Sequence, residues 1–182
     1  MNGRTVWGAG LVLAGLMTTP AAAQEKGDIG LTISAPSALG VIWHVSERVA
    51  VRPEMSFSFS ETDAESSTLT DVSSHSFTLA GSALFYMGRW ESLQTYFSPR
   101  LTYSWAGSST EAAGLDIEST QNGWGLSGSL GAQYTLGTRF AVFAEAGLMY
   151  SSSESKITTI LPTDRTSWAF GSRTAIGGTL YF

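Results

Sequence analysis

The chain of 182 residues carries 10 basic against 15 acidic side chains, a formal net charge of −5, and no cysteine. Disulfides, thiolate metal sites, cysteine nucleophiles and lipidation at cysteine are thereby excluded, and the acidic balance lacks the basic stripe that a nucleic-acid partner requires. Past the N-terminal region no stretch approaches ~18 consecutive apolar residues, so a membrane crossing by this chain would have to be made with strands closed into a barrel.

Residues 1–23 read as a secretory signal: Arg4 in a short n-region, the apolar run Val6–Met17, and Ala21-Ala22-Ala23 as an A-x-A cleavage site. The apolar run is too short for an anchor, because a spanning helix needs ~20 residues. Cleavage is expected before Gln24. Removing 23 of the 182 residues leaves 159 (residues 24–182), with nine basic side chains against fifteen acidic, the size of one domain.

The mature chain then alternates. Ile29, Leu31 and Ile33 oppose Gly30, Thr32 and Ser34; after Pro36, Leu39, Val41, Trp43 and Val45 oppose Gly40, Ile42, His44 and Ser46. A third strand sets Val49, Val51, Pro53, Met55, Phe57 and Phe59 against Ala50, Arg52, Glu54, Ser56 and Ser58. The polar stretch Glu61–Ser74 reads as a long loop. A fourth strand follows, with Phe77, Leu79, Gly81, Ala83, Phe85 and Met87 on one parity, and Gly88–Ser92 is a short turn. In the fifth, Leu93, Phe97, Leu101, Tyr103 and Trp105 oppose Gln94, Tyr96, Ser98, Arg100 and Thr102.

A second long loop is expected over Gly107–Gln121. Trp124, Leu126, Leu130, Ala132, Tyr134 and Leu136 then share a parity, and Gly137-Thr138 suits a hairpin turn. The seventh strand sets Phe140, Val142, Ala144, Ala146, Leu148 and Tyr150 against Ala141, Phe143, Glu145, Gly147 and Met149. A third long loop, Ser152–Thr166, leads to the last strand, where Trp168, Phe170, Thr174, Ile176, Leu180 and Phe182 oppose Ala169, Gly171, Arg173, Ala175, Gly177, Thr179 and Tyr181. Side chains two apart share a face of a strand, so each segment has one apolar and one small or polar face.

After the first hairpin, long and short connections alternate. Antiparallel strands place successive connections on opposite rims, so the long loops share one rim and the short turns and both termini the other. The aromatics of the apolar parity collect at both ends. Tyr103, Trp105, Trp124, Tyr150 and Trp168 lie towards the long-loop rim, and Trp43, Phe85 and Phe140 towards the other, as amphipathic rings do at two membrane interfaces.

The last strand resembles the terminal strand of bacterial outer-membrane barrels, whose alternating apolar residues and final aromatic are read by the barrel-assembly machinery; here Ile176, Leu180 and Phe182 match. The whole mature chain resembles the small eight-stranded outer-membrane barrels of the OmpA/OmpX type, within the outer-membrane β-barrel domain family. This implies an all-β fold, an eight-stranded antiparallel up-and-down transmembrane β-barrel. It also implies the outer membrane of a Gram-negative bacterium, long loops extracellular, termini periplasmic, with outer-membrane lipid and lipopolysaccharide as surroundings and a host or surface ligand conceivable on the long loops. A soluble lipocalin-like barrel is the architectural rival, with the apolar parities turned inward.

On the inward parity lie Arg52, Glu54, Arg100, Glu145 and Arg173. A buried charge is costly unless paired, and eight strands leave an interior barely wider than its own side chains. Glu145 and Arg173 are the preferred pair, with Arg100 competing, and the expected result is a plugged lumen; a narrow porin-like channel is the alternative. No metal or cofactor is expected, and no enzymatic activity. His44-Val45-Ser46 has the His-x-Ser spacing of lipid A deacylases but falls at the periplasmic end, while His75 and Ser76, at the outer rim, point to opposite faces.

Overall fold

The computed structural model describes residues 26–36, 38–62, 70–112, 115–158 and 163–182. The signal segment expected over 1–23 lies outside them, as do residues 63–69 of the loop expected over Glu61–Ser74. The described residues form β1 (Ile29–Ala35), β2 (Ala38–Ser46), β3 (Val49–Thr62), β4 (Thr70–Trp90), β5 (Leu93–Ala112), β6 (Leu115–Leu136), β7 (Phe140–Thr158) and β8 (Thr163–Tyr181). Every strand pairs antiparallel with its sequence neighbours, and β1 pairs with β8, Leu31 opposite Leu180 and Thr32 opposite Thr179, to close the barrel. Closure removes both sheet edges over that stretch.

The face assignments follow the alternation. Outside lie Leu31, Val41, Trp43, Phe85, Leu101, Leu130, Phe140 and Ile176, all exposed. The interior holds a small apolar cluster, Ile42, Ala50, Leu84, Tyr96, Ala141 and Tyr181, together with buried Arg52, Glu54, Glu145, His44 and Gln133. A soluble lipocalin-like barrel would reverse this arrangement, and the observed orientation is the opposite of that rival.

Three polar stretches differ from expectation. Within the loops read over Glu61–Ser74, Gly107–Gln121 and Ser152–Thr166 the described residues are strand: β3 runs to Thr62 and β4 begins at Thr70, β5 runs to Ala112 and β6 begins at Leu115, β7 runs to Thr158 and β8 begins at Thr163. A ladder needs backbone hydrogen bonds and extended residues, not an apolar face. Cross-strand hydroxyl pairs support it, Ser58–Ser76 at 2.8 Å, Ser73–Ser109 at 2.9 Å and Ser153–Ser167 at 3.1 Å. The turn expected at Gly88–Ser92 is likewise tighter, because β4 reaches Trp90 and the reversal is made at Glu91-Ser92 with Glu91 at φ 47°. The turns Glu47-Arg48, Glu91-Ser92 and Gly137–Arg139 share one rim with the C-terminal end of β8.

Candidate functional site in the barrel lumen

From the turn rim upward, the lumen changes chemistry in layers. Lowest is an aromatic and amide layer. His44 stacks on Tyr86 with ring centroids 5.5 Å apart and lies 3.4 Å from the Tyr181 hydroxyl, while the Gln133 amide donates to Tyr181 at 3.1 Å and its carbonyl accepts from Tyr86 at 3.5 Å.

Above it the strands bring five charged side chains together. Glu145 on β7 accepts from Arg173 on neighbouring β8 at 2.6 Å and from Arg52 on β3 at 2.5 Å, and its Oε1 also accepts from the Tyr96 hydroxyl at 3.0 Å. Arg52 Nε lies 3.5 Å from Glu54 Oε2, and Arg100 on β5 pairs with Glu54 and lies 3.4 Å from Ser82 Oγ. The result is a continuous chain, Arg173–Glu145–Arg52–Glu54–Arg100. Arg173 is further held by Ser129 at 3.2 Å, and the Arg52 guanidinium sits 4.8 Å from the Phe143 ring centroid, a cation–π contact.

Of the pairs expected, Glu145–Arg173 is formed, but Arg100 does not compete for Glu145. Arg52 takes that place from the opposite wall, and Arg100 turns to Glu54. The reason is barrel closure: β3 and β7 are not ladder neighbours, yet their inward side chains meet across a narrow interior.

Room for these side chains comes from glycines on adjoining strands. Gly131 lies opposite Tyr96 and Gly177 opposite Phe143, and a Cβ at either position would overlap the facing ring. Each ring therefore lies flat across a bare stretch of backbone, an arrangement known to pin register. Tyr96 falls on the same parity as Arg100, whereas alternation alone does not single out Phe143, Ser82 or Ser129; a glycine paired with an inward aromatic is the signal that could have exposed Phe143.

Above the ionic layer a cavity of about 630 Å³ opens, lined by Ser56, Thr78, Thr102, Ser127 and Ser151, with Arg100 and Arg173 at its base. On the outer wall the aromatics fall in two bands. Phe77 pairs with Trp105, Tyr103 with Trp124, and Tyr150 with Phe170 in the upper band, which also contains Trp168 opposite Ser152. The lower band contains Trp43, Phe85 beside Phe97, and Phe140 beside Leu180. His75 belongs to the upper band, its ring 4.8 Å from that of Trp105 and 6.4 Å from that of Phe59, while Ser76 faces Ser58 on the other side of the sheet. Ser46 Oγ accepts from the Val49 amide at 3.1 Å, closing the β2–β3 turn. Ile176, Leu180 and Phe182 all face outward.

No family model and no curated protein matches the sequence. Among solved structures, a major outer membrane protein from Thermus thermophilus superposes with a TM-score of 0.59 at 12% identity, over 85% of this chain and 98% of that one. The chain has the fold of an outer membrane protein. Acinetobacter baumannii CarO and CarO2 align with TM-scores of 0.40 and 0.42, each at 10% identity, over 88% and 85% of this chain and 99% and 97% of theirs.

Proposed function

We propose that this protein is an integral outer-membrane β-barrel of the OmpA/OmpX kind, made with a cleaved signal over residues 1–23, that serves a structural or surface-interaction role and keeps its lumen closed. The observation that carries this reading is the unbroken chain of ion pairs from Arg173 through Glu145, Arg52 and Glu54 to Arg100, which crosses the lumen between non-adjacent walls. Membrane placement is supported by the apolar outer face and its two aromatic bands. On this reading the termini and short turns are periplasmic, the β3–β4, β5–β6 and β7–β8 hairpins are extracellular, and Ile176, Leu180 and Phe182 form the signal taken by the assembly machinery. Lipid and lipopolysaccharide surround the wall, and the hairpins are the surface for a host or environmental ligand. A non-enzymatic role fits the engagement of Ser46 in a turn and of His75 among aromatic rings.

A narrow channel is the second reading, favoured by the cavity above the charges. Planar-bilayer recording separates the two. The plugged barrel gives no steady openings, whereas steady wild-type openings altered by Arg100→Ala or Arg173→Ala would establish the channel. Heat-modifiable gel migration after detergent extraction tests the membrane barrel itself, and a fully soluble product refutes it. A lipid A mass profile changed by expression would overturn the non-enzymatic role.

A further inference from the structure

The barrel wall is not equally high all the way round. β1 stops at Ala35 and β2 starts at Ala38, a level at which Ala35 pairs with Ile176 of β8 and Leu39 pairs with Met55 of β3. Beyond that level β8 extends from Ala175 up to Thr163 and β3 continues to Thr62. There β3 has a ladder only with β4, and β8 only with β7. Among the described residues, no strand pairing joins β3 to β8 above the short hairpin, which leaves a notch in the wall. Its flanks are unusually bare: Phe57, Phe59, Trp168 and Phe170 are 71%, 78%, 71% and 66% exposed, against 37–55% for Phe77, Tyr103, Trp105, Trp124 and Tyr150 of the same band.

Two features meet at the notch. Inside is the hydroxyl-lined cavity, which has Ala35 and Pro36 on its near wall and Arg100 and Arg173 at its base. The ionic chain beneath holds three guanidinium groups against two carboxylates, leaving one positive charge uncompensated. Arg52 is 1% exposed but the Arg100 and Arg173 side chains retain 11% and 16%, so the accessible part of that charge is turned to the cavity. Outside is an apolar trough of about 620 Å³ lined by Leu31, Leu39, Val41, Met55, Leu79 and Leu101. Its floor is sunk where Pro53 pairs with Gly81, and a Cβ at Gly81 would meet nothing within 4 Å. Leu39 and Met55, paired at the sill of the notch, belong to the trough, and their chain neighbours Ala38 and Ser56 belong to the cavity, so the two meet on either side of that sill.

We propose that the notch is a lateral portal that binds a single-chain anionic amphiphile. Its carboxylate or phosphate-monoester head lies in the cavity on Arg100 and Arg173, and its alkyl chain leaves over Leu39 and Met55 into the trough. Guanidinium groups take both head chemistries through paired, charge-assisted hydrogen bonds, and the alkyl chain stays in apolar surroundings along the lipid-facing wall while the head reaches the lumenal charge. The inference rests on the membrane placement proposed above.

The test uses the full-length protein in phosphatidylcholine nanodiscs, with empty nanodiscs as blank and carboxyl-13C dodecanoate as probe, read by its carboxyl chemical shift and by competition. Dodecanoate is expected to bind saturably at one site. Acetate and inorganic phosphate, which lack the chain, and dodecanol, which lacks the charge, should compete at least tenfold more weakly. Arg100→Gln, and separately Ser151→Trp, which fills the cavity from the inward face of β7 above the ion pairs, should each weaken binding at least tenfold, with heat-modifiable migration confirming that each variant is folded. Binding unchanged in both folded variants, or dodecanol equal to dodecanoate, would mean adhesion to the wall and overturn the proposal. Phosphate or acetate equal to dodecanoate would show a free-anion site and overturn it too, as would a dimer in native mass spectrometry, closed through the β3 and β8 edges. A protein that never enters the nanodisc fails the membrane reading instead, and is told apart from an inserted barrel that does not bind.

Discussion

Arg52 on β3 and Glu145 on β7 meet across the lumen at 2.5 Å although 93 positions separate them in sequence. Because Glu145 also holds Arg173 and Tyr96, it is the node through which both halves of the wall are tied. Removing one partner of a buried ion pair strands the others and costs about 3–5 kcal/mol. Glu145→Ala should therefore lower the urea midpoint of the barrel in lipid vesicles by that equivalent, and Glu145→Gln by less, since an amide oxygen still accepts from one guanidinium. Equal midpoints for wild type and Glu145→Ala would remove the network from the stability argument.

Gly131 and Tyr96 make a second relationship open to test. A valine at 131 would occupy the space of the Tyr96 ring and push its hydroxyl off Glu145, an overpacking cost of about 1–3 kcal/mol. Tyr96→Ala introduced into Gly131→Val should recover part of that loss, so that the double variant is more stable than the sum of the two single losses implies. Simple additivity in equilibrium unfolding would show that the ring and the glycine are not coupled.

Leu130 faces outward at mid-height, between Phe97 and Ala146, whereas Thr158 ends β7 in the polar extension. If the apolar belt lies in lipid, Leu130→Arg should cost about 2–4 kcal/mol and Thr158→Arg close to none. Urea titration in phosphatidylcholine vesicles reads both, and similar costs at the two positions would place the membrane boundary elsewhere.

Phe182 is exposed beside the β1 end of the seam, its amide donating to the Ile29 carbonyl at 3.1 Å. Its ring contributes no interior packing, so Phe182→Ala should leave the refolded barrel's unfolding midpoint unchanged in vitro. In cells the same change should lower the amount of heat-modifiable protein recovered in the outer-membrane fraction severalfold. Normal recovery would separate this residue from the assembly signal.

Alternation repeats every two residues, so the face of each side chain was legible from Ile29 to Phe182 wherever an apolar parity existed. It placed Arg52, Glu54, Arg100, Glu145 and Arg173 inside and Trp43, Phe85, Trp124 and Trp168 outside. Beyond the aromatic band that signal vanishes. Ser73 and Ser109, or Ser153 and Ser167, pair through hydroxyls and backbone with no apolar periodicity, so the pattern predicts loops where the sheet continues.

Partnership inside the barrel is another matter, because it depends on how far closure and strand tilt bring distant walls together. The proximity of Glu145 to Arg173 follows from adjacent strands, but Arg52 reaching Glu145 and Arg100 choosing Glu54 are consequences of a narrow interior that no local pattern encodes. The β1–β2 hairpin makes the same point. Its brevity is plain around Pro36, yet the notch it leaves exists only because β3 and β8 climb past it in the closed sheet. Local side-chain period is written in the chain, whereas cross-lumen distance and wall height are properties of the ring.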